Sequence, residues 1–346
     1  MASDKSDLFY KSLSVTLALV ILGVTVSTHI DQRRERKKTD QLSVEVAELR
    51  NQTKQTTVPI IEGLDWSSFS GTTIKTLRTD INMTVDVQRV MSLGGTLEWD
   101  GSTLLPVPWP TTYVETFRQE FNPYTFAENA AVLRAWKDRV APEAIRRTSD
   151  YLLLQLEKYT RDDAVFYDFD YEIIESGILK AGWQSAYANG MVAIGLMDLA
   201  EATDNMTLRE RAKRYLDKVL WRGKNTDLSL VDSASYLWFE ETPPLHGRAT
   251  HVINGHIAVV FALYRYMQVT GDPAYERYVK AGLATAARYF WETRRPGKIP
   301  TYWLYNETAD YGPLRAINFA DTLAAITGHP IFSDLSAALR TDVPIR

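Results

Sequence analysis

The 346-residue chain contains no cysteine. Disulfides, thiolate metal sites and cysteine nucleophiles are therefore excluded. Histidine is scarce: there are five, and none form the i, i+4 pairs of helical zinc sites. No metal site is expected from them. Positive charge is not in surplus either, since 39 Lys and Arg stand against 43 Asp and Glu for a net charge of −4. A charged polymer would have to be gripped by a local cluster of cations rather than a global field. No basic run lies in the folded part, so nucleic acid is not an expected partner. What is present is ordinary for a globular chain, with 45% hydrophobic and 24% charged residues. That composition allows a sizeable core.

The one long apolar run is 13–30, LSVTLALVILGVTVSTHI. At ~1.5 Å per residue it reaches ~27 Å, about the thickness of a bilayer core. Its apolar stretch is longer than that of a usual signal peptide, and no small-x-small site follows it. It reads as a retained transmembrane anchor after an N-terminal tail, 1–12. A polar, Pro-free stem follows at 31–57. Arg33, Arg34, Arg36, Lys37 and Lys38 lie just after the span, which by the positive-inside rule keeps the bulk cytoplasmic. Four glycosylation sequons, at Asn51, Asn82, Asn205 and Asn306, point the other way. A lumenal or extracellular body on a single-pass anchor is the expectation carried forward.

Residues 58–126 look β-rich and irregular. Polar and apolar residues alternate around Thr84–Val90, and Gly94-Gly95 marks a turn before Thr96–Trp99. This is a small β region or an extended packing arm. From 127 to 346 the pattern is helical. Val132, Leu133, Trp136 and Val140 share one helical face. A weak repeat organises the rest: three segments, from Asp198, Arg265 and Thr322, each end one helix at a threonine (Thr203, Thr270, Thr327). A tight turn follows, then a second amphipathic helix, twice opening at proline (Pro273, Pro330). These are αα-hairpins separated by long loops. Stacked hairpins with loops gathered at one end suggest a mainly α fold, an (α/α) toroid.

Three loops hold the chemistry. The first, 166–190, is dense in aromatics and carboxylates and includes Trp183 and Tyr187. The second, 235–257, contains Trp238, the adjacent Glu240 and Glu241, Arg248 and His251. In an extended segment the two glutamates point in different directions, so one at most faces a given site. The third, 299–315, contributes Tyr302, Tyr305, Tyr311 and Arg315, ahead of Asn318. Aromatic faces beside acids suit sugar rings, though core packing by Trp183 and Tyr187 is an equal reading.

Five segments, in order, resemble the C-terminal region of D-glucuronyl C5-epimerases. Lys180-Ala-Gly-Trp-Gln-Ser-Ala-Tyr-Ala-Asn-Gly190 is similar to the family's K-A-x-W-x-S-A-x-A-x-G. Trp238-Phe-Glu-Glu-Thr-Pro243 is similar to W-Y-E-E-Y-P, and Val252-Ile-Asn-Gly-His-Ile257 to V-L-N-G-F-x. Tyr302-Trp-Leu is similar to Y-D-L, and Asp310-Tyr311, with Ile317-Asn318 beyond, to W-D-Y-H…I-N. The resemblance runs over about 167–328. It implies the (α/α) toroid, a type II anchor, frequent homodimers, and conversion of glucuronate to iduronate within heparan-type chains. It points to Tyr302 and Tyr311 as acid–base groups, with Glu241 as an opposing or orienting base. Trp183, Tyr187, Trp238, Glu240, Asn254 and Asn318 are the expected substrate-binding residues. Departures stand at Thr242 for a family tyrosine, at Gly312 for a histidine, and at Tyr305-Asn306 for R-H.

The chemistry sets further demands. C5 lies α to a carboxylate, so removing its hydrogen gives an enolate-like dianion that needs a cation or dense hydrogen bonding. Charge alone nominates Arg248 or Arg315. Inversion needs an acid–base group on each face, and a tyrosine base needs a nearby cation. No redox cofactor is required, and a structural calcium in the β region has no ligand spacing to support it. A polysaccharide lyase shares the first step, a hydrolase would use two carboxylates, and an inactive tethered glycan-binding protein would use neither.

Overall fold

The computed structural model describes residues 62–65, 73–87, 98–99, 104–105, 119, 121–173, 177–220, 228–305, 307–310 and 312–343. All lie in one compact unit, Val58–Arg346. The expected anchor at 13–30, the stem at 31–57, Asn306 and Tyr311 fall outside the described residues.

The architecture is mainly helical with a few small sheets. Strands β1 (Glu62–Asp65) and β2 (Thr73–Thr76) pair antiparallel, as do β3 (Glu98–Trp99) and β4 (Leu104–Leu105). The alternation at Thr84–Val87 does not make a strand. Residues 77–87 run instead as an arm across the helices. Its backbone bonds go to the Lys280 carbonyl (2.9 Å), the Ile326 carbonyl (2.8 Å) and the Tyr264 hydroxyl. Tyr264 returns its hydroxyl proton to the Asn82 carbonyl at 2.7 Å. Ile74, Leu77 and Val87 are buried beneath the arm, so alternation here reflects one-sided packing rather than sheet pairing.

Among the described residues eight α-helices follow: α1 (Pro123–Trp136), α2 (Pro142–Lys158), α3 (Ala186–Thr203), α4 (Thr207–Val219), α5 (Ile253–Thr270), α6 (Glu276–Tyr289), α7 (Pro313–Thr327) and α8 (Pro330–Asp342). Val140 does not continue the face of α1, because the helix stops at Trp136 and Pro142 opens the next one. Pro273 starts a 3-10 turn, Pro273–Tyr275, that leads into α6.

The three expected hairpins share one terminating device. Thr203, Thr270 and Thr327 each close their helix and donate a hydroxyl to the carbonyl four residues back, at 2.6–2.7 Å. The next residue is left-handed in each case: Asp204 (φ 54), Gly271 (φ 71) and Gly328 (φ 64). This is the αL C-cap, which lets the chain reverse. Helices α3, α5 and α7 therefore run in one direction and α4, α6 and α8 return.

The two layers differ in composition. Helices α3 and α5 are apolar on nearly every side and buried on nearly every side. Outer helix α4 buries only Leu208, Ala212, Tyr215, Leu216 and Val219, a single stripe. Small residues set the close inner contacts. A Cβ at Gly195 would stand 2.6 Å from the Phe126 ring of α1, and one at Gly190 would stand 3.3 Å from Val259 of α5. No described helix is long and apolar enough to cross a membrane.

Candidate functional site

Because α3, α5 and α7 are parallel, their N-terminal turns and the loops feeding them lie at the same end. A serine cap defines the start of α3, where Ser185 accepts from the Ala188 N–H at 3.2 Å. The positive ends of the helix dipoles make that end favourable to a carboxylate.

Loop one folds into short strands, β5 (Thr160–Arg161), β6 (Ala164–Tyr167), β7 (Tyr171–Ile173), β8 (Gly177–Leu179) and β9 (Trp183–Gln184). Trp183 lies half-buried among aromatics. It stacks on Tyr167 at 4.1 Å and on Tyr171 at 5.7 Å, and its indole N–H donates to the Phe169 carbonyl at 3.0 Å. Lys180 pairs with Asp170 at 2.7 Å on the surface. Tyr187 occupies the first turn of α3 and is half-buried.

Loop two is carried by the hairpin of β10 (Ser229–Val231) and β11 (Leu237–Phe239). The glutamates that follow point to opposite sides. Glu240 is fully buried, and its carboxylate contacts His251 Nδ1 at 2.6 Å and accepts from the His251 N–H at 3.1 Å. Trp238 is fully buried too and stacks behind His251 at 4.2 Å. Expected as substrate contacts, Trp238 and Glu240 have no surface to offer; they hold His251, whose backbone sits at a left-handed φ of 51. His256 is neutral by geometry. Its Nδ1 accepts from the Phe239 N–H, so its Nε2 carries the hydrogen that goes to the Gly282 carbonyl. Burial pushes its pKa down to about 4.

Glu241 faces the other way and keeps partial solvent contact. Tyr302 donates its hydroxyl to Glu241 Oε1. Gly255, in the first turn of α5, makes room for this carboxylate: a Cβ there would lie 2.4 Å from Glu241 Oε2. Burial raises the Glu241 pKa to about 7, with Asp310 and Glu240 adding to the rise and the Tyr302 bond and Arg315 opposing it. Arg315 pairs with Asp310 at 4.0 Å. The loop bearing Tyr302 is pinned by the Leu304 N–H on the His251 carbonyl (3.2 Å) and the Tyr302 N–H on the Thr308 carbonyl (2.8 Å).

The site thus brings together Glu241, Tyr302, Arg315 and Asp310. Asn254 is buried in the first turn of α5 and caps its neighbour's N–H at 2.9 Å. Asn318 is half-buried on α7. Arg248 is not brought in, since it is exposed on the tight turn Leu245–Arg248. Thr242 is buried and shares a hydrogen bond with Thr250 at 2.8 Å.

Tyr124 of α1, with Glu128 beside it, lies near enough to Arg315 and Tyr187 to feel their charge, without any sequence signal naming it. Tyr124 and Glu128 stand at i, i+4 on one face. Burial and Glu128 raise the Tyr124 pKa, while Arg315 acts against the rise. Their only sequence mark is the i, i+4 spacing, and nothing local links them to a residue near position 315. Among the described residues no cluster of three His, Asp or Glu side chains is placed to hold a metal ion.

No curated protein matches the chain. Among solved structures, that of a D-mannose isomerase matches with a TM-score of 0.43 at 12% identity, over 64% of this chain. The chain spans 58% of that protein's length. The model of the D-glucuronyl C5-epimerase C-terminus matches residues 161–339, which contain the loops of the site. Since that match covers just over half of the chain, the protein belongs to the D-glucuronyl C5-epimerase C-terminal family.

Proposed function

We propose that the chain is a carbohydrate epimerase that inverts C5 of D-glucuronate to give L-iduronate within a glycosaminoglycan-like polysaccharide. The observation that carries this reading is the Tyr302–Glu241 pair beside Arg315. A carboxyl group raised to about 7 is poised to exchange protons at neutral pH. The Tyr302–Glu241 pair takes the C5 proton. The electron pair left behind spreads into the uronate carboxylate, whose growing charge is met by Arg315 and the helix N-termini. A proton returned from the opposite face completes the inversion. Tyr311 is the second tyrosine that the family motif assigns to acid–base work. No redox change occurs, so the reaction itself calls for no redox cofactor.

The same reading extends to the rest of the chain. The inner and outer helix layers are arcs of an (α/α) toroid, and 13–30 tethers the body as a type II anchor. The test is incubation of residues 58–346 with heparosan-type and other glucuronate polymers in deuterated water, followed by NMR of the uronates. Deuterium at C5 with new iduronate and intact chains is expected. Chain cleavage with an unsaturated product would replace the reading by a lyase. No exchange on any uronate polymer, with an active epimerase as control, would overturn it.

A further inference from the structure

Among the described large hydrophobic side chains none is more exposed than Tyr305, at 71%. A ring left in water forgoes the free energy of burial, yet this one does not sit on a loose loop. The loop is held by the Leu304 N–H on the His251 carbonyl at 3.2 Å and by the pairing of Val252 with Trp303. The Tyr305 ring rests against the His251 ring, with centroids 5.5 Å apart. His251 in turn stacks on Trp238 at 4.2 Å. The three rings form a column from the fully buried Trp238 to the surface. Its lower members are fixed. Glu240 holds the His251 ring at 2.6 Å, Asp232 accepts the Trp238 indole N–H at 3.2 Å, and Tyr289 packs on Trp238 at 5.1 Å. His251 keeps a left-handed φ of 51, a strained conformation outside glycine. A buried carboxylate–histidine pair adds little net stability of its own. What this pair does is hold the plane of the His251 ring, and with it the seat of Tyr305.

Tyr305 is three residues from Tyr302, so the two Cα atoms stand at most about 11 Å apart. A sugar linked to the uronate that Tyr302 and Glu241 engage is within reach of the Tyr305 ring. We propose that Tyr305 is a stacking platform for the hexosamine next to the reacting uronate, and that it selects an uncharged hexosamine over a sulfated one. The inference rests on the epimerase reading. A pyranose offers an apolar C–H face, whose partly positive hydrogens meet the negative face of the phenol ring. A sulfate gains nothing there, because the ring face repels it. Beneath the column the Asp232 carboxylate, bonded to the uncharged Trp238 and Tyr289 side chains, adds negative charge. Where the family motif has the basic pair R-H this chain has Tyr305 and Asn306, so neither position supplies a cation. The neighbouring sugar is therefore held by surface contact and not by charge.

The test titrates the full chain and its Tyr305→Ala, Tyr305→Trp and Tyr305→Arg variants with heparosan hexasaccharide and with its N-sulfated counterpart, by calorimetry. Each variant should melt at the wild-type temperature, because the ring is exposed. Tyr305→Ala should bind the heparosan hexasaccharide about 10-fold more weakly. The factor should be the same at low and high salt, since stacking is not screened. Tyr305→Trp should restore binding, and Tyr305→Arg should turn the preference toward the N-sulfated chain. Wild-type affinity in Tyr305→Ala would overturn the proposal. So would a loss that disappears at high salt, a loss that Tyr305→Trp leaves in place, or a wild type that binds neither chain. Deuterium exchange at C5 keeps the two readings apart. A wild type that binds these chains, loses that binding in Tyr305→Ala and exchanges no deuterium would support the platform and sink the epimerase reading alone.

Discussion

Glu241 is the residue on which the pH behaviour of the protein turns. Its carboxyl is raised from 4.5 to about 7 by burial, so the base form accumulates only as pH climbs through neutrality. Turnover should rise with pH to a plateau above about 7. Glu241→Gln should remove that limb and lower turnover by ~10²–10⁴-fold. Stability carries the opposite sign. Between about 4.5 and about 7 the folded state holds a proton that the unfolded chain has already released, so stability falls as pH rises through that window. Glu241→Gln should therefore melt higher than wild type at pH 8, with the difference vanishing near pH 4. Melting curves at the two pH values check this, and an unchanged difference would contradict it. The paired glutamates also show what was readable at this scale. Their divergence follows from extended backbone alone, but which of them met Tyr302 and which met His251 depended on loops sixty and ten residues away.

At the scale of elements, the helix ends were legible because they are local chemistry. The threonine back-bond and the left-handed residue after it lie within five residues of each other. What holds the inner helices together was not legible. Asp198 of α3 is fully buried and meets Arg134 of α1 at 3.2 Å and Arg265 of α5 at 3.8 Å. Glu201, one turn on, takes Arg265 at 2.8 Å. This ionic knot joins three helices, and its members are scattered over more than 130 positions. Asp198→Ala removes the buried carboxylate that the two arginines share, leaving them Glu201, and should cost about 1.5–3 kcal/mol, the scale of a lost hydrogen bond to a charged group, measured by urea unfolding. A loss below about 1 kcal/mol would mean that the knot is solvated. The β-like alternation at Thr84–Val87 failed for a related reason: period-two burial records which side is covered, whether the cover is a sheet partner or a bundle of helices.

At the scale of the whole molecule the open proposal is the side of the membrane on which the body works. Asn82 and Asn205 are exposed, and in each sequon the asparagine Oδ1 accepts the hydroxyl of its threonine, at 2.8 and 2.7 Å. Both lie at the surface of the body. Expression of the full chain in a glycosylating host should give a mass increase, removable by endoglycosidase and reduced by Asn205→Gln. An unmodified protein would place the body on the cytoplasmic side, where the basic residues after 13–30 would put it.

The sequence alone determined the helical hairpins, their termini, and the loops that carry the site, since caps, turns and amphipathic stripes are written within a few consecutive residues. It also carried the family, because five short motifs keep their order. Only the tertiary structure decided which side chains share the site. Trp238 and Glu240 went behind His251, Arg248 went to the surface, and Tyr124 of α1 came within the field of Arg315. Facing positions on different helices are chosen by packing, and packing couples residues that no local pattern connects.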